Sequence, residues 1–334
     1  MVSAAAPVGE PTTKHVQETL MKQQQPARAV SSRRGAISAF AVFGLVALHA
    51  PNAARAAEAE LTGTLLKVSK ERVITIGYRD ASVPFSYYDA NQQPIGYSID
   101  IANLIVERIK TEIKLPDLKV RTIPITSQNR ISLLQNSTID FECTSTTNNA
   151  ERAQQVSFSN TFFVIGTRLL VRTKSGIKDF ADLKDKTVVV GAGTTSEKIL
   201  RKMNAEKSMN MDVISAKDHT ESFLMLSTGR AKAMMMDDAL LAGERAKARN
   251  PEDYEVVGTP QTYEAYGCML RKNDAAMKAV MDAAIADAQK SGAAAKLYQR
   301  WFQQPIPPKR VNLGLPLSPR MQTLFSHPDD KPTS

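Results

Sequence analysis

Several features are scarce or missing in this 334-residue sequence, and each absence removes a class of function. Beyond residue 56 no run approaches the ~18–20 consecutive apolar residues of a membrane-spanning helix. The bulk of the chain is therefore expected to be soluble. Only two cysteines occur, Cys143 and Cys268; thiols this far apart, without His or Cys neighbours, make a poor metal site, and no metal or cofactor is expected. No G-x-x-x-x-G-K-[ST] loop is present, so a nucleotide-driven step would have to be supplied by another chain. The formal net charge is +9, yet it forms no dense basic stripe of the kind duplex binding needs, so nucleic acid is not expected as a partner. Low-complexity linkers are missing as well.

What is present begins with targeting information. Residues 1–56 hold six Lys/Arg against two Glu, so +4 of the net charge sits there and +5 remains for the rest. Arg33 and Arg34 precede an apolar run, Ala36 to Ala50, which is followed by Ala54-Arg55-Ala56, small residues at the two positions a signal peptidase reads. The pattern predicts a signal peptide over 1–56, cleaved near Ala56, and a periplasmic mature protein. Met21 followed by Lys22 would start a leader of more ordinary length, which makes 1–20 an early start. Paired arginines suit both twin-arginine and ordinary export.

From Val73 onward, β-rich runs alternate with helical patterns, the mark of parallel sheets covered by helices. VITIGY (73–78), KVRTIPI (119–125) and IDFEC (139–143) read as strands, with helices over about 98–113 and from Arg130 to Leu134. After the apolar run TFFVIGTRLLV (161–171) the pattern repeats: strands KTVVVGA, DVISA, KAMMMD and YEVVG alternate with helices SEKILRKM, ESFLMLS and DALLAGERA. A last strand, YGCMLR (266–271), precedes Ala-rich helices over about 274–302, and the Pro-rich tail beyond Pro305 is expected to pack on the surface or fray. Length and 43% hydrophobic content suit two domains. We expect an α/β chain of two Rossmann-like lobes joined by two crossing segments, with 57–165 and 266–334 in one lobe and 166–265 in the other.

Ligands in such sheets sit beyond the carboxyl ends of strands. The residues there are Arg79, Ser127, Arg130, Thr144 to Thr147, Arg152, Gly193 to Ser196, His219 and Asp237, a set dominated by cations and hydroxyls. An acidic amino acid offers two carboxylates and one ammonium, and such a set supplies donors for the first and an acceptor for the second. Singly, Arg79 or Arg130 reads as a solvated cation and His219 as a surface or capping residue. Gly191-Ala192-Gly193 approximates a dinucleotide turn, but Ser196 stands at the third glycine position. Met234 to Met236 and Trp301 read as packing residues, and spacing does not separate Asp237 from Asp238 as cap or acceptor.

The motifs PFSYYD (84–89), GYSID (96–100), IPITSQNRI (123–131), DFECTSTTN (140–148), GTRLL (166–170), GTTSE (193–197), ISAKDH (214–219), MMDDALLAGERAKA (235–248) and EAYGCMLRK (264–272) run in order across nearly the whole chain after the leader. Together they resemble the periplasmic glutamate/aspartate-binding proteins of ABC importers. That resemblance implies the type II periplasmic-binding-protein fold, L-glutamate or L-aspartate as ligand, ABC permease membrane subunits as partners, and a monomer. It implies that Arg79, Ser127, Arg130 and His219 surround the side-chain carboxylate. Ser145, Thr147, Arg152 and Thr195 would hold the α-carboxylate, and Asp237 would accept from the ammonium with help from Ser145. It also implies that IDFEC and YGCMLR are neighbouring antiparallel strands, which would let Cys143 and Cys268 form a disulfide. Two other readings share the fold: an enzyme using His219 and Asp237 as an acid/base pair, and a sensor module. The shortage of carboxylates placed to move protons argues against the enzyme.

Overall fold

The computed structural model describes residues 60–332; the leader and cleavage site expected from the sequence lie outside the described residues. The first described helix, α1 (Gly63–Glu71), was not expected from sequence. Its buried face is only Thr64, Leu65 and Val68, too short for its period to stand out. Strand β1 (Val73–Tyr78) follows as expected, and then β2 (Ala81–Ser82), β3 (Ser86–Tyr88) and β4 (Pro94–Ile95) form a small three-stranded sheet, also unexpected because no strand in it exceeds three residues. Helix α2 (Tyr97–Glu112) buries Ile101, Ile105 and Ile109 on one stripe. Strand β5 (Lys119–Pro124) pairs in parallel with β1, and α3 (Arg130–Gln135) leads to β6 (Phe141–Glu142).

That last strand is shorter than the five residues expected. The physical reason is Asp140, whose backbone N–H donates to Thr75 O (2.7 Å) while its carboxylate accepts from Thr75 N (2.9 Å) and Lys67 Nζ (2.9 Å), so a side chain replaces a ladder bond. Beyond the short α4 (Ala150–Ala153), the run expected near 161–171 belongs to one 16-residue strand, β7 (Ser157–Arg172). The repeat then follows: β8 (Thr187–Gly191), α5 (Thr195–Glu206), β9 (Asp212–Ala216), α6 (His219–Ser227), β10 (Ala233–Asp237), α7 (Asp238–Lys247) and β11 (Tyr254–Val257). Strand β12 (Tyr263–Leu270) returns the chain, and Gly292 separates helices α8 (Ala275–Lys290) and α9 (Ala293–Phe302).

The main sheet runs β5-β1-β6-β12-β7-β10-β8-β9, with β11 also on β7. Strand β7 changes partners along its length: Ser157 to Gly166 pair with β12, whereas Thr167 to Arg172 pair with β10 or β11. At this changeover the two crossing stretches bind each other, through Thr167 N to Thr262 O (3.1 Å), Gln261 N to Thr167 O (3.2 Å) and the Thr167 and Thr262 hydroxyls (3.0 Å). A two-strand connection of this kind flexes with little loss of packing. Beside it lies an aromatic cluster of Phe85, Tyr97, Phe163, Tyr266 and Phe302, whose mostly edge-on contacts hold the Tyr266 ring at 5.3 Å from that of Phe85.

The tail does not fray. Residues beyond Pro305 cross β7 and form α10 (Pro319–Ser326), which buries Met321, Leu324 and Phe325. Arg320 stacks over Tyr263 at 3.7 Å, and Thr161 N donates to Asp329 O (2.7 Å). Its polar composition hid a three-residue apolar face. Cys143 and Cys268 are joined by a disulfide, at the end of the β6–β12 ladder that pairs Glu142 with Met269. Met234 to Met236 are buried in β10, and Trp301 is buried with its indole N–H donating to Asp100 Oδ2 (2.7 Å).

Candidate functional site

Strands β1, β5, β6, β8, β9 and β10 of the main sheet hand their last residues to loops or helix starts at one common place. Past β1, Arg79 is anchored by Ser86, whose hydroxyl accepts from Arg79 N (2.8 Å) and donates to Arg79 O (2.7 Å). Past β5, Thr126 and Asn129 close a turn on each other, Thr126 N to Asn129 Oδ1 (2.8 Å) and Asn129 N to Thr126 Oγ1 (3.2 Å), which places Ser127 and starts α3 at Arg130. Past β6, Asn149 caps α4 by accepting from Arg152 N (2.9 Å). On the opposite side, Thr194 caps α5 by accepting from Glu197 N (3.1 Å), and Asp218 caps α6 by accepting from Glu221 N (2.9 Å). These caps leave Thr195 and His219 as the first residues of their helices, where unpaired N–H groups and the helix dipole favour an anion.

The ends converge on a small cavity of about 20 Å³, far below the roughly 300–1,000 Å³ of open ligand pockets. Ser127, Arg130, Ser145, Thr147, Arg152, Thr195, His219 and Asp237 line it, and sequence reasoning had singled out all eight. Arg79 is placed one layer behind, its Nη1 donating to Ser127 Oγ (2.8 Å). Thr194, Ser196, Met236 and Leu240 complete the wall. Thr194 and Ser196 belong to the loop already picked out by GTTSE; Met236 and Leu240 carried only an apolar signal that reads as core. Asp238 lines a different groove, beside Gly166 and Arg168, and the side chain of Asp237 makes no capping bond at the start of α7.

The electrostatics are unusual for an interior. Arg79 and Arg130 are each only 2% exposed, and Arg152 is buried too. Burial lowers the Arg130 guanidinium to about 9, and the positive charge of Arg152 pushes the same way while Glu142 opposes it. Burial likewise lowers Arg79 and Arg152 from their ordinary values. Three guanidinium groups thus sit where an anion would relieve their mutual repulsion. Arg152 also spans the cavity, Nη1 donating to Thr147 O (3.0 Å) and Nη2 to Gly193 O (3.4 Å).

On the opposite wall Asp237 is held well above the usual carboxylate range, first by burial and then by the charge of Glu264. Tyr266 donates to Asp237 Oδ2, and Oδ1 has no protein partner. Burial, followed by the charge of Arg79, holds His219 well below its ordinary value, so its imidazole is neutral at pH 7. Its Nδ1 and the Nε of Arg130 are also buried without a protein partner. The arrangement offers donors in two places and one carboxyl acceptor, the complement of a small zwitterion with a second negative end. Among the described residues no group of three or more His, Cys, Asp or Glu could hold a metal ion.

Residues 74–304 match the sequence model of the bacterial extracellular solute-binding proteins, family 3. The chain belongs to that family. Among its relatives, the glutamate/aspartate import solute-binding protein of Escherichia coli (strain K12) is 59% identical over 268 residues, covering 80% of this chain and 89% of the relative. The L-glutamate/L-aspartate-binding protein of Pseudomonas aeruginosa is 57% identical over 273 residues, covering 81% of this chain and 90% of the relative. A solved ancestral arginine-binding protein bound to arginine superposes with a TM-score of 0.63 at 29% identity, covering 69% of this chain and 98% of that one. The solute-binding protein therefore has the type II periplasmic-binding-protein fold, two α/β lobes joined by two crossing segments. What sequence reasoning missed in it is most of the layer behind the cavity: Glu142, Tyr266 and Glu264 were not singled out, and Thr146 only as part of the run Thr144 to Thr147, though all four are buried. Glu142 and Thr146 stand inside DFECTSTTN, and a carboxylate at the end of an otherwise apolar strand was the available signal.

Proposed function

We propose that this protein captures L-glutamate or L-aspartate in the periplasm by closing its lobes, 57–165 with 266–334 against 166–265, and delivers it to the permease subunits of an ABC importer. The observation that carries this reading is the pair of buried arginines, Arg130 and Arg152, backed by buried Arg79, that share one small cavity with the buried carboxyl of Asp237. Arg130 with Ser127, backed by Arg79, and His219 would take the side-chain carboxylate. Arg152, Ser145, Thr147 and Thr195 would take the α-carboxylate, and Asp237 the ammonium. Hydrogen bonds to charged groups contribute about 1.5–3 kcal/mol each, so a handful reaches the ~8 kcal/mol of a micromolar binder after ordering costs. The names of the relatives in Escherichia coli and Pseudomonas aeruginosa support this ligand. The protein acts as a monomer after loss of a leader near Ala56.

Capture rather than catalysis is the role because the guanidinium groups and hydroxyls hold charge, and Asp237 is tied to Tyr266 instead of facing a proton relay. Isothermal titration with glutamate and aspartate, followed by NMR of the mixture, tests this: one equivalent bound and unchanged is expected. A folded protein that ignores both ligands at millimolar concentration, or one that converts them, refutes it. Loss of acidic amino-acid uptake on deletion would separate import from sensing.

A further inference from the structure

We propose that Glu142, which does not line the cavity, is a positioning residue that sets acid-over-amide selectivity by locking Arg130 through the hydroxyl of Thr146. The inference rests on the proposed function and deepens it. Glu142 is fully buried at the end of β6. Its Oε1 accepts from Thr146 Oγ1 (2.5 Å) and its Oε2 from Thr144 Oγ1 (2.6 Å). Thr146 Oγ1 in turn accepts from Arg130 Nη1 (2.5 Å). Arg130 can only donate, so the Thr146 oxygen accepts from it, and the Thr146 proton goes to Glu142 Oε1 at 2.5 Å in preference to Thr144 Oγ1, which lies farther off at 3.2 Å. The chain of donors runs one way, from the guanidinium to the buried charge.

The backbone holds this relay in place. The disulfide at Cys143 ties the residue after Glu142 to β12, and Gly77 on β1 leaves the space: a Cβ there would lie 3.1 Å from the Cβ of Glu142. Glu142 also supplies negative charge that favours the charged form of Arg79, Arg130 and Arg152. A guanidinium locked in this way presents only N–H groups to the cavity. A ligand carboxylate accepts from it, whereas a ligand amide offers one oxygen and an NH₂ that finds donors opposite. An unlocked Arg130 could turn away from that NH₂ and forgive the mismatch, so rigidity is what converts donor chemistry into discrimination.

The test is the ratio of glutamine to glutamate dissociation constants, by isothermal titration, in wild type, Thr146→Val, Thr146→Ser and Glu142→Gln, with melting temperature checked for each. Thr146→Val is expected to reduce the ratio about tenfold or more, the equivalent of one charge-assisted hydrogen bond, Thr146→Ser to retain it, and Glu142→Gln to reduce it. A merely structural role would weaken both ligands alike and leave the ratio unmoved. A folded Thr146→Val protein with the wild-type ratio overturns the proposal, as does equal loss in the valine and serine variants. Should Thr146→Val fail to fold, a wild-type ratio in Glu142→Gln overturns it instead. Wild-type protein that binds neither acidic ligand would sink the functional reading itself, a different outcome from an unchanged ratio.

Discussion

Removing Arg152 should separate ligand affinity from protein stability. Its guanidinium is buried, contacts Thr147 O and Gly193 O, and is the group we propose to hold the α-carboxylate of any α-amino acid. Truncating one partner of a buried charge pair costs about 3–5 kcal/mol, or about two to three and a half orders of magnitude in Kd. The lower end applies here, because Arg152→Ala also relieves the repulsion that Arg152 exerts on Arg130. With ligand at 100 times the wild-type Kd, binding stabilises wild type by about 2.7 kcal/mol, a shift of roughly 5–10 °C in Tm for a domain of this size. At the same ligand concentration a variant with hundredfold weaker binding gains only about 0.4 kcal/mol, roughly 1–2 °C. Without ligand its Tm should equal or exceed that of wild type, since a desolvated cation has been removed. Thermal denaturation with glutamate, aspartate and glutamine reads all of this, and the three ligands should lose affinity together because their α-carboxylate is shared. A folded Arg152→Ala protein that still binds glutamate within about fivefold of wild type would refute the assignment, as would a loss confined to the acidic ligands.

Three other outcomes follow from the geometry. Gly243, inside α7, faces the carbonyl of Val83, where an added Cβ would lie 2.1 Å from the oxygen; Gly243→Ala should therefore impede closure and raise Kd about tenfold or more, although alanine favours the isolated helix by about 1 kcal/mol, and wild-type affinity in titration would show that this contact does not gate binding. Asp237 retains its proton above the usual carboxylate value of 3.8 when folded, so the stability it contributes is present below that value and is lost as pH rises through its folded value. A ligand ammonium favours the ionised form, so glutamate affinity should rise with pH across that window with proton release seen by titration in buffers of different ionisation enthalpy, and Asp237→Asn should bind weakly with no such slope. The Cys143–Cys268 bond spans 125 residues, for which chain entropy gives about 5 kcal/mol as an upper value; the oxidised protein should weigh two hydrogens less than the reduced one, and denaturant titration after reduction should show a marked loss of stability, with an unchanged midpoint counting against the bond's role.

Much of this protein was written in local patterns. Strands β1, β8, β9 and β10 and the helices between them follow from hydrophobic period, since VITIGY or DVISA has one favourable conformation once a parallel sheet is assumed. The cavity residues were reachable too, because strand ends in such a fold must supply the site and the residues there were cations and hydroxyls. Short elements were not reachable: α1 and the β2-β3-β4 sheet carry too few apolar residues for a period, and β6 was cut to two residues by a side-chain bond from Asp140 that no window of sequence contains.

Tertiary structure alone decided which groups touch the cavity and which stand behind it. Sequence treats Arg79 and Arg130 as equals, yet packing places Arg79 behind Ser127 and Arg130 on the wall. It treats Asp237 and Asp238 as neighbours, yet the end of β10 turns one into the cavity and the other into a separate groove. Glu142, Thr146 and Arg130 become a single chain of hydrogen bonds only when β6 and the start of α3 are brought side by side. Sequence specifies which residue types the strand ends carry, because period and polarity are local properties. Orientation and partnership depend on distances between distant segments, and those exist only once the chain has folded.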